Sequence, residues 1–511
     1  MNDSRGTSRF RSALLVTAFI VNTHVLSGCN SSNDSTSQSD NKLPTLASSG
    51  AGSSGAQTQQ ADDTAKRYKN TDGGLFSPSF TAFDCLEMTS PEAIADILQI
   101  DPSITCGRVS VPANWQTPDG NMIELAVYRV APTTDLPERD PLVVLAGGPG
   151  QSGIAILPDF VDADASFLRE RSEVIVVDQR GTGFSTPLLA CPAVDAIKQT
   201  ADADIASTTS TTTFMKARQG LIEKALLACK DDVTAQNVSL ADYTTANNAR
   251  DIEAIRQALD INQWNLFGGS YGTTLALTIM RDWPDGVRSA ILDSAAPLEA
   301  NVLTERTYSK GYWPLSRIVA NCKADADCHE IIGDIQPLLE AGIARLSASP
   351  VGILDAQRYV LEVLAENIGD PDMATTVLIV ASRSDEDIAH FFDLDTRLAD
   401  PVTDPPTEPI KNKAAPIPFA DPPRWLIPML LADLMSAAVL CAEEAPNSEA
   451  SASPDISSDF QQITREVVNA MIQASSYSDD FCNELGIPPA SSIESQAVQS
   501  DLPVLILAGD T

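Results

Sequence analysis

The sequence predicts an α/β fold, a doubly wound and mostly parallel sheet with a helical insertion, and three features carry that expectation. Leu142-Val143-Val144-Leu145 and Val174-Ile175-Val176-Val177 are continuous apolar runs without alternation, as strands covered on both faces require. Ile252, Ile255 and Leu259 stand at helical spacing before the next short strand, Trp264-Asn265-Leu266-Phe267. Strands alternating with helices in this way build a parallel sheet. After Pro297 the alternation stops, and it returns only at Pro503-Val504-Leu505-Ile506-Leu507-Ala508-Gly509.

At the N-terminus, Arg5, Arg9 and Arg11 precede an apolar run, Ala13 to Val21, that is too short for a membrane-spanning helix and has the layout of an export signal. It leads to Leu26-Ser27-Gly28-Cys29, small residues before a cysteine in the manner of a bacterial lipobox. Residues 1–29 are therefore expected to be a lipoprotein signal, with Cys29 as the lipidated residue. Asn30 follows where an Asp would retain the protein at the inner membrane, so the expected location is the outer membrane of a bacterial envelope, facing the periplasm. Residues 30–75 read as a flexible polar tether, because Ser, Asn, Asp, Gln, Gly and Ala dominate as far as about Thr64 and leave little to bury. A lipid on such a linker would hold a soluble domain at the membrane surface.

Residues 76–300 are the expected sheet-bearing core. Ile123, Leu125 and Val127 alternate as in a half-buried strand, Thr273 to Met280 reads as a helix, and Ala290-Ile291-Leu292 as the following strand. Residues 301–480 combine helical stretches with a Pro-rich acidic loop from Asp400 to Pro428 and are expected to form a helical cap; residues 481–511 return to the core.

The balance of 34 Lys and Arg against 69 Asp and Glu gives a net charge of -35, which repels phosphate backbones and excludes nucleic acid as an expected partner. Setting Cys29 aside leaves eight of the nine cysteines, and an exported chain keeps paired thiols oxidised. Connectivity is open from sequence; pairing neighbours in order gives Cys85–Cys106, Cys191–Cys229, Cys322–Cys328 and Cys441–Cys482, each closing a short loop. No Cys or His cluster has zinc spacing, and nothing calls for a metal or other cofactor.

The chemistry concentrates at Gly268-Gly269-Ser270-Tyr271-Gly272, where an apolar strand enters, a helix leaves, and glycines stand two places on either side of the serine. A nucleophile elbow needs this pattern, because side chains at 268 and 272 would clash where strand and helix close on each other. A glycine-rich phosphate turn competes as a reading, yet no Lys follows and no G-x-G-x-x-G is in register. Ser270 is thus the expected nucleophile of an α/β-hydrolase fold. Its attack needs donors for the developing oxyanion, each typically worth roughly 2.7–4 kcal/mol of barrier. Gly147-Gly148-Pro149-Gly150 follows the first buried strand, where the second donor belongs, and Pro149 has no N–H to give. The expected donors are the backbone amides of Gly148 and Tyr271.

Together with Asp178-Gln179-Arg180-Gly181-Thr182-Gly183-Phe184-Ser185 and Val439-Leu440-Cys441-Ala442-Glu443-Glu444, these motifs resemble the prolyl-aminopeptidase and tripeptidyl-aminopeptidase family of serine exopeptidases. The resemblance runs from about Cys85 to Thr511. It implies a helical cap over the site, a peptide substrate with a free N-terminus, and release of one to three residues from that end. It also implies an acidic group that binds the substrate's α-ammonium, for which Glu443 and Glu444 are the candidates by position. Asp178 and Arg180 read as structural pins for the turn after their strand. Ala146 departs from the family, where many relatives carry His before the glycine pair.

The remainder of the triad is harder to place. Of the three histidines, His24 lies in the signal, His329 beside the Cys322–Cys328 loop and His390 in the cap, none after the last strand where this fold places its base. Asp510 is the candidate acid and Asp293 the alternative. Gly509-Asp510-Thr511 stops one residue short of the family's strand-Gly-x-x-Asp pattern, so the chain as given is expected to lack its catalytic His and to be an incomplete form of an active enzyme. Two other readings stay open: an esterase with the same fold, and a lipid-tethered binding protein without a catalytic base.

Overall fold

A computed structural model describes residues 76–85, 103–134, 139–161, 165–197, 211–300, 312–348, 377, 431–444, 459–474 and 477–507. The signal and tether, the lipidation candidate Cys29, His24, His390, the Pro-rich loop and the candidate acid Asp510 lie outside the described residues.

Among the described residues, eight strands form one sheet in the order 1-2-3-5-4-6-7-8. They are β1 (Phe80–Phe83), β2 (Ile104–Pro112), β3 (Met122–Val130), β4 (Arg139–Leu145), β5 (Ser172–Val177), β6 (Trp264–Gly269), β7 (Val287–Asp293) and β8 (Val504–Leu507). β1, β2, β3 and β5 pair antiparallel; β5, β4, β6, β7 and β8 run parallel.

Helices cover both faces, as buried parallel strands demand. On one face α3 (Thr245–Ala258) and α4 (Tyr271–Asp282) bring Ile252, Ile255, Leu275 and Ile279 onto Val143, Leu145 and Leu266. On the other, α1 (Gly153–Val161) sets Ile154, Leu157 and Phe160 against Val144, Val174 and Val176. The strand expected to be half-buried at 123–127 is not. Ile123, Leu125 and Val127 join the first core while Ala126, Tyr128 and Val130 join the second, because β3 sits inside the sheet between β2 and β5.

Between β7 and β8 every described element is helical: α5 (Trp313–Ala324), α6 (Ala326–Ile332), α7 (Gln336–Ala348), α8 (Asp433–Val439), a π-helical turn (Leu440–Glu444), α9 (Gln462–Ala474), α10 (Asp479–Leu485) and a short 3-10 turn (Ser492–Ser495). α8, the π-turn and α10 share a core with Leu189, with Leu226 and Val233 of α2 (Thr211–Ala235), and with Tyr271 of α4. Disulfides join Cys85 to Cys106, Cys191 to Cys229, Cys322 to Cys328 and Cys441 to Cys482. β8 is exposed along its length, Ile506 by 60 %. No helix among the described residues is long and apolar enough to cross a membrane.

Candidate active site

Ser270 stands between β6 and α4 with φ 51° and ψ -122°, a conformation that L-residues avoid. The surrounding chain holds it there. Its N–H donates to the Asp293 carbonyl at 2.9 Å, and its carbonyl accepts from the Thr273 N–H at 2.9 Å and the Thr273 hydroxyl at 2.6 Å. The flanking glycines are required by close approach. A Cβ on Gly268 would run into the Gly272 carbonyl, and one on Gly272 into the carbonyl of Leu145 on the neighbouring strand. β6, α4 and β4 therefore meet with backbone against backbone, and the serine is lifted at the end of the sheet.

The loop 147–150 lies over this elbow. A Cβ built on Gly147 would fall 2.9 Å from the Gly269 carbonyl oxygen, 3.2 Å from Ser270 Cβ and 3.7 Å from the Tyr271 nitrogen. Tyr271 opens α4, so its N–H has no intrahelical acceptor. The Gly148 N–H likewise makes no backbone hydrogen bond among the described residues.

Buried polar groups hold that loop from beneath. Asp178, fully buried, accepts from the Ser152 hydroxyl at 3.0 Å, the Ile154 N–H at 3.0 Å, the Phe184 N–H at 2.8 Å and the Tyr128 hydroxyl at 2.9 Å. Burial raises the Asp178 carboxyl above its ordinary range, against the pull of those hydrogen bonds. Gln179 donates to the Ala146 carbonyl at 2.8 Å. Arg180 forms a two-pronged ion pair with Asp251 of α3 at 2.8 and 2.7 Å, and Trp115 donates to the same carboxylate at 2.8 Å. The Ala432 N–H, from far along the chain, donates to the Gly150 carbonyl at 2.9 Å.

Glu443 and Glu444 close the π-turn, both half-buried. Glu443 accepts the Thr245 N–H at 2.7 Å and the Thr245 hydroxyl at 2.6 Å, and Thr245 Oγ1 lies 2.9 Å from the Tyr271 hydroxyl. Burial pushes the Glu443 carboxyl up to about 7 and raises the Tyr271 phenol further above its usual value. Nothing in the sequence around Thr245 marks it as part of the site; the only local cue is its place at the start of α3. Asp293 contributes its carbonyl to Ser270, while its carboxylate accepts from the Ser294 hydroxyl at 3.3 Å. His329 sits on α6. Among the described residues no hydrogen bond joins the Ser270 hydroxyl to a base.

Residues 140–329 match the family model of the alpha/beta hydrolase fold. Serine protease Hip1 of Mycobacterium tuberculosis is 28% identical over 241 residues, covering 45% of this chain and 44% of that protein. Tripeptidyl aminopeptidase of Streptomyces lividans is 30% identical over 194 residues, 37% of this chain and 35% of that protein. Carboxylesterase B of Mycobacterium tuberculosis is 33% identical over 224 residues, 41% of this chain and 40% of that protein. The chain thus spans less than half the length of each of these curated relatives. Among solved structures, proline iminopeptidase of Mycobacterium smegmatis aligns with a TM-score of 0.26 at 19% identity, covering 51% of this chain and 69% of that one. On its sheet, its elbow and the family-model match, the chain carries the alpha/beta hydrolase fold, and in sequence it resembles a serine protease and a tripeptidyl aminopeptidase.

Proposed function

We propose that the protein is a serine exopeptidase that removes short fragments or single residues from the free N-terminus of peptides, with Ser270 as nucleophile and the Gly148 and Tyr271 amides as oxyanion donors. The observation that carries this reading is the positive-φ serine beneath the Gly147-Gly148 loop. A tetrahedral oxyanion formed on Ser270 would lie beside both amides, whose donation lowers the barrier more than it stabilises the substrate. The likeness to Hip1 and to tripeptidyl aminopeptidase supports peptide as the substrate, and the acidic pair Glu443 and Glu444 supplies charge for an α-ammonium. Asp510 is the proposed acid of the triad. A lipid on Cys29 would hold this domain at the envelope surface, and intact-mass analysis of membrane-extracted protein tests that attachment.

Labelling of the gene product with a fluorophosphonate tests the mechanism. Ser270 should take the label and Ser270→Ala should lose both label and turnover of N-terminally free peptide anilides; peptidase activity retained in that variant refutes the assignment. The match to carboxylesterase B favours one second reading, an esterase. Hydrolysis of simple acyl esters with no preference for a free amine would select it.

A further inference from the structure

The Tyr271 side chain leaves the elbow and enters the core that α4 shares with α8 and α10. Its hydroxyl lies 2.9 Å from Thr245 Oγ1 and accepts from Asn248 Nδ2 at 3.5 Å. While Glu443 is ionised, Thr245 gives its own hydroxyl proton to it at 2.6 Å, so the phenol donates the bond between Thr245 and Tyr271. The three groups form a relay with one direction, Tyr271 to Thr245 to Glu443. Thr245 and Tyr271 are both buried, so a break in the relay strands a polar group away from water. Each member also belongs to a different element: Glu443 to the π-turn, Thr245 to the first turn of α3, Tyr271 to the first turn of α4.

A carboxylate accepting a hydroxyl and a backbone N–H from the same residue is already engaged, whereas an ammonium-binding carboxylate must turn toward the substrate. Tyr271 is the residue whose backbone N–H stands next to Ser270, and its phenol fixes where that first helical turn sits. We propose that Glu443 is a positioning residue, which through Thr245 orients Tyr271 and the oxyanion donor on its backbone. This rests on the serine-hydrolase reading above and takes Glu443 out of the acidic pair offered there to an α-ammonium.

Glu443→Gln replaces the acceptor facing the Thr245 hydroxyl with an N–H donor, which turns the relay around at nearly constant volume. Thr245→Val removes the hydroxyl and Thr245→Ser keeps it, which guards against misfolding of any single variant. In the intact gene product, kcat should fall about 10- to 100-fold in Glu443→Gln and Thr245→Val, on a free-amine peptide anilide and on p-nitrophenyl acetate alike, with KM within about threefold. Thr245→Ser should restore it. A rise in KM confined to the anilide in Glu443→Gln overturns the proposal, as does a Thr245→Val variant with wild-type kcat. If the wild type neither turns over substrate nor takes a fluorophosphonate, the hydrolase reading fails by itself. The positioning claim is then decided by hydrogen exchange at residues 271–273, which should quicken at least about tenfold in Glu443→Gln; unchanged exchange overturns it.

Discussion

At the scale of single residues, the site depends on positions where the backbone is forced. Holding a serine at φ 51° costs on the order of 1–3 kcal/mol, and the contacts of Asp293 and Thr273 offset it. Gly272→Ala should therefore do more harm than a surface change. Its Cβ meets the Leu145 carbonyl, so α4 and β4 must part, and urea denaturation should find a loss of about 3 kcal/mol together with loss of Ser270 labelling. Glu443 makes a separate prediction. Its folded value of about 7 stands above the ordinary 4.5, so folding takes up a proton between those two pH values. The contribution of this group favours the fold fully below 4.5 and is withdrawn as pH rises through 7, amounting to about 3 kcal/mol. Burial is the main cause, and the nearby Glu494 and Glu444 add to it while Thr245 opposes it. Glu443→Gln should flatten the stability profile across this window, as thermal unfolding at a series of pH values would record. Ser270 was legible in the sequence because its glycines lie two places away, whereas Thr245 was not, since its partners Tyr271 and Glu443 lie 26 and 198 residues distant.

Elements were legible where a single periodicity dominated. β4 and β5 declared themselves as unbroken apolar runs and α3 by helical spacing, while β6 and α4 were marked by the glycine-flanked serine between them. β1 and β2 gave no such run: Thr105, Gly107, Arg108 and Ser110 interrupt β2, whose order comes from pairing with β1 and β3 on either side. β3 misled for the opposite reason, since small and aromatic residues at 126 and 128 fill the second face of a strand that alternation assigns to one. In the sequence the π-turn is marked only by a resemblance, and its importance depends on what it touches. It is tied to α10 by Cys441–Cys482 across 41 residues. Replacing both cysteines by Ala should lower stability by about 2–4 kcal/mol in a denaturant titration under oxidising conditions. The same variant should slow Ser270 labelling, because the turn that carries Glu443 loses its anchor.

For the whole molecule, the charge of -35 argues that association with other macromolecules is selective against polyanions. A gel-shift titration with duplex DNA at physiological salt should show no complex, and lowering the salt should not produce one. The mostly parallel sheet needed only local patterns and the rules of connection, but its strand order and the joining of the 147–150 loop to Ala432 and of α3 to the π-turn could not be read from any local stretch. That joining has a consequence for the history of each molecule. Thr245 leaves the ribosome 198 residues ahead of Glu443, which at roughly 5–20 residues per second is a delay of roughly 10–40 s. Once Ser270 and Tyr271 have been made, the Tyr271 phenol still has no completed relay to join for the rest of that interval. On the proposed reading, a growing chain thus carries Ser270 before its surroundings are complete, and nascent chains halted before residue 443 should resist a fluorophosphonate that labels the finished protein.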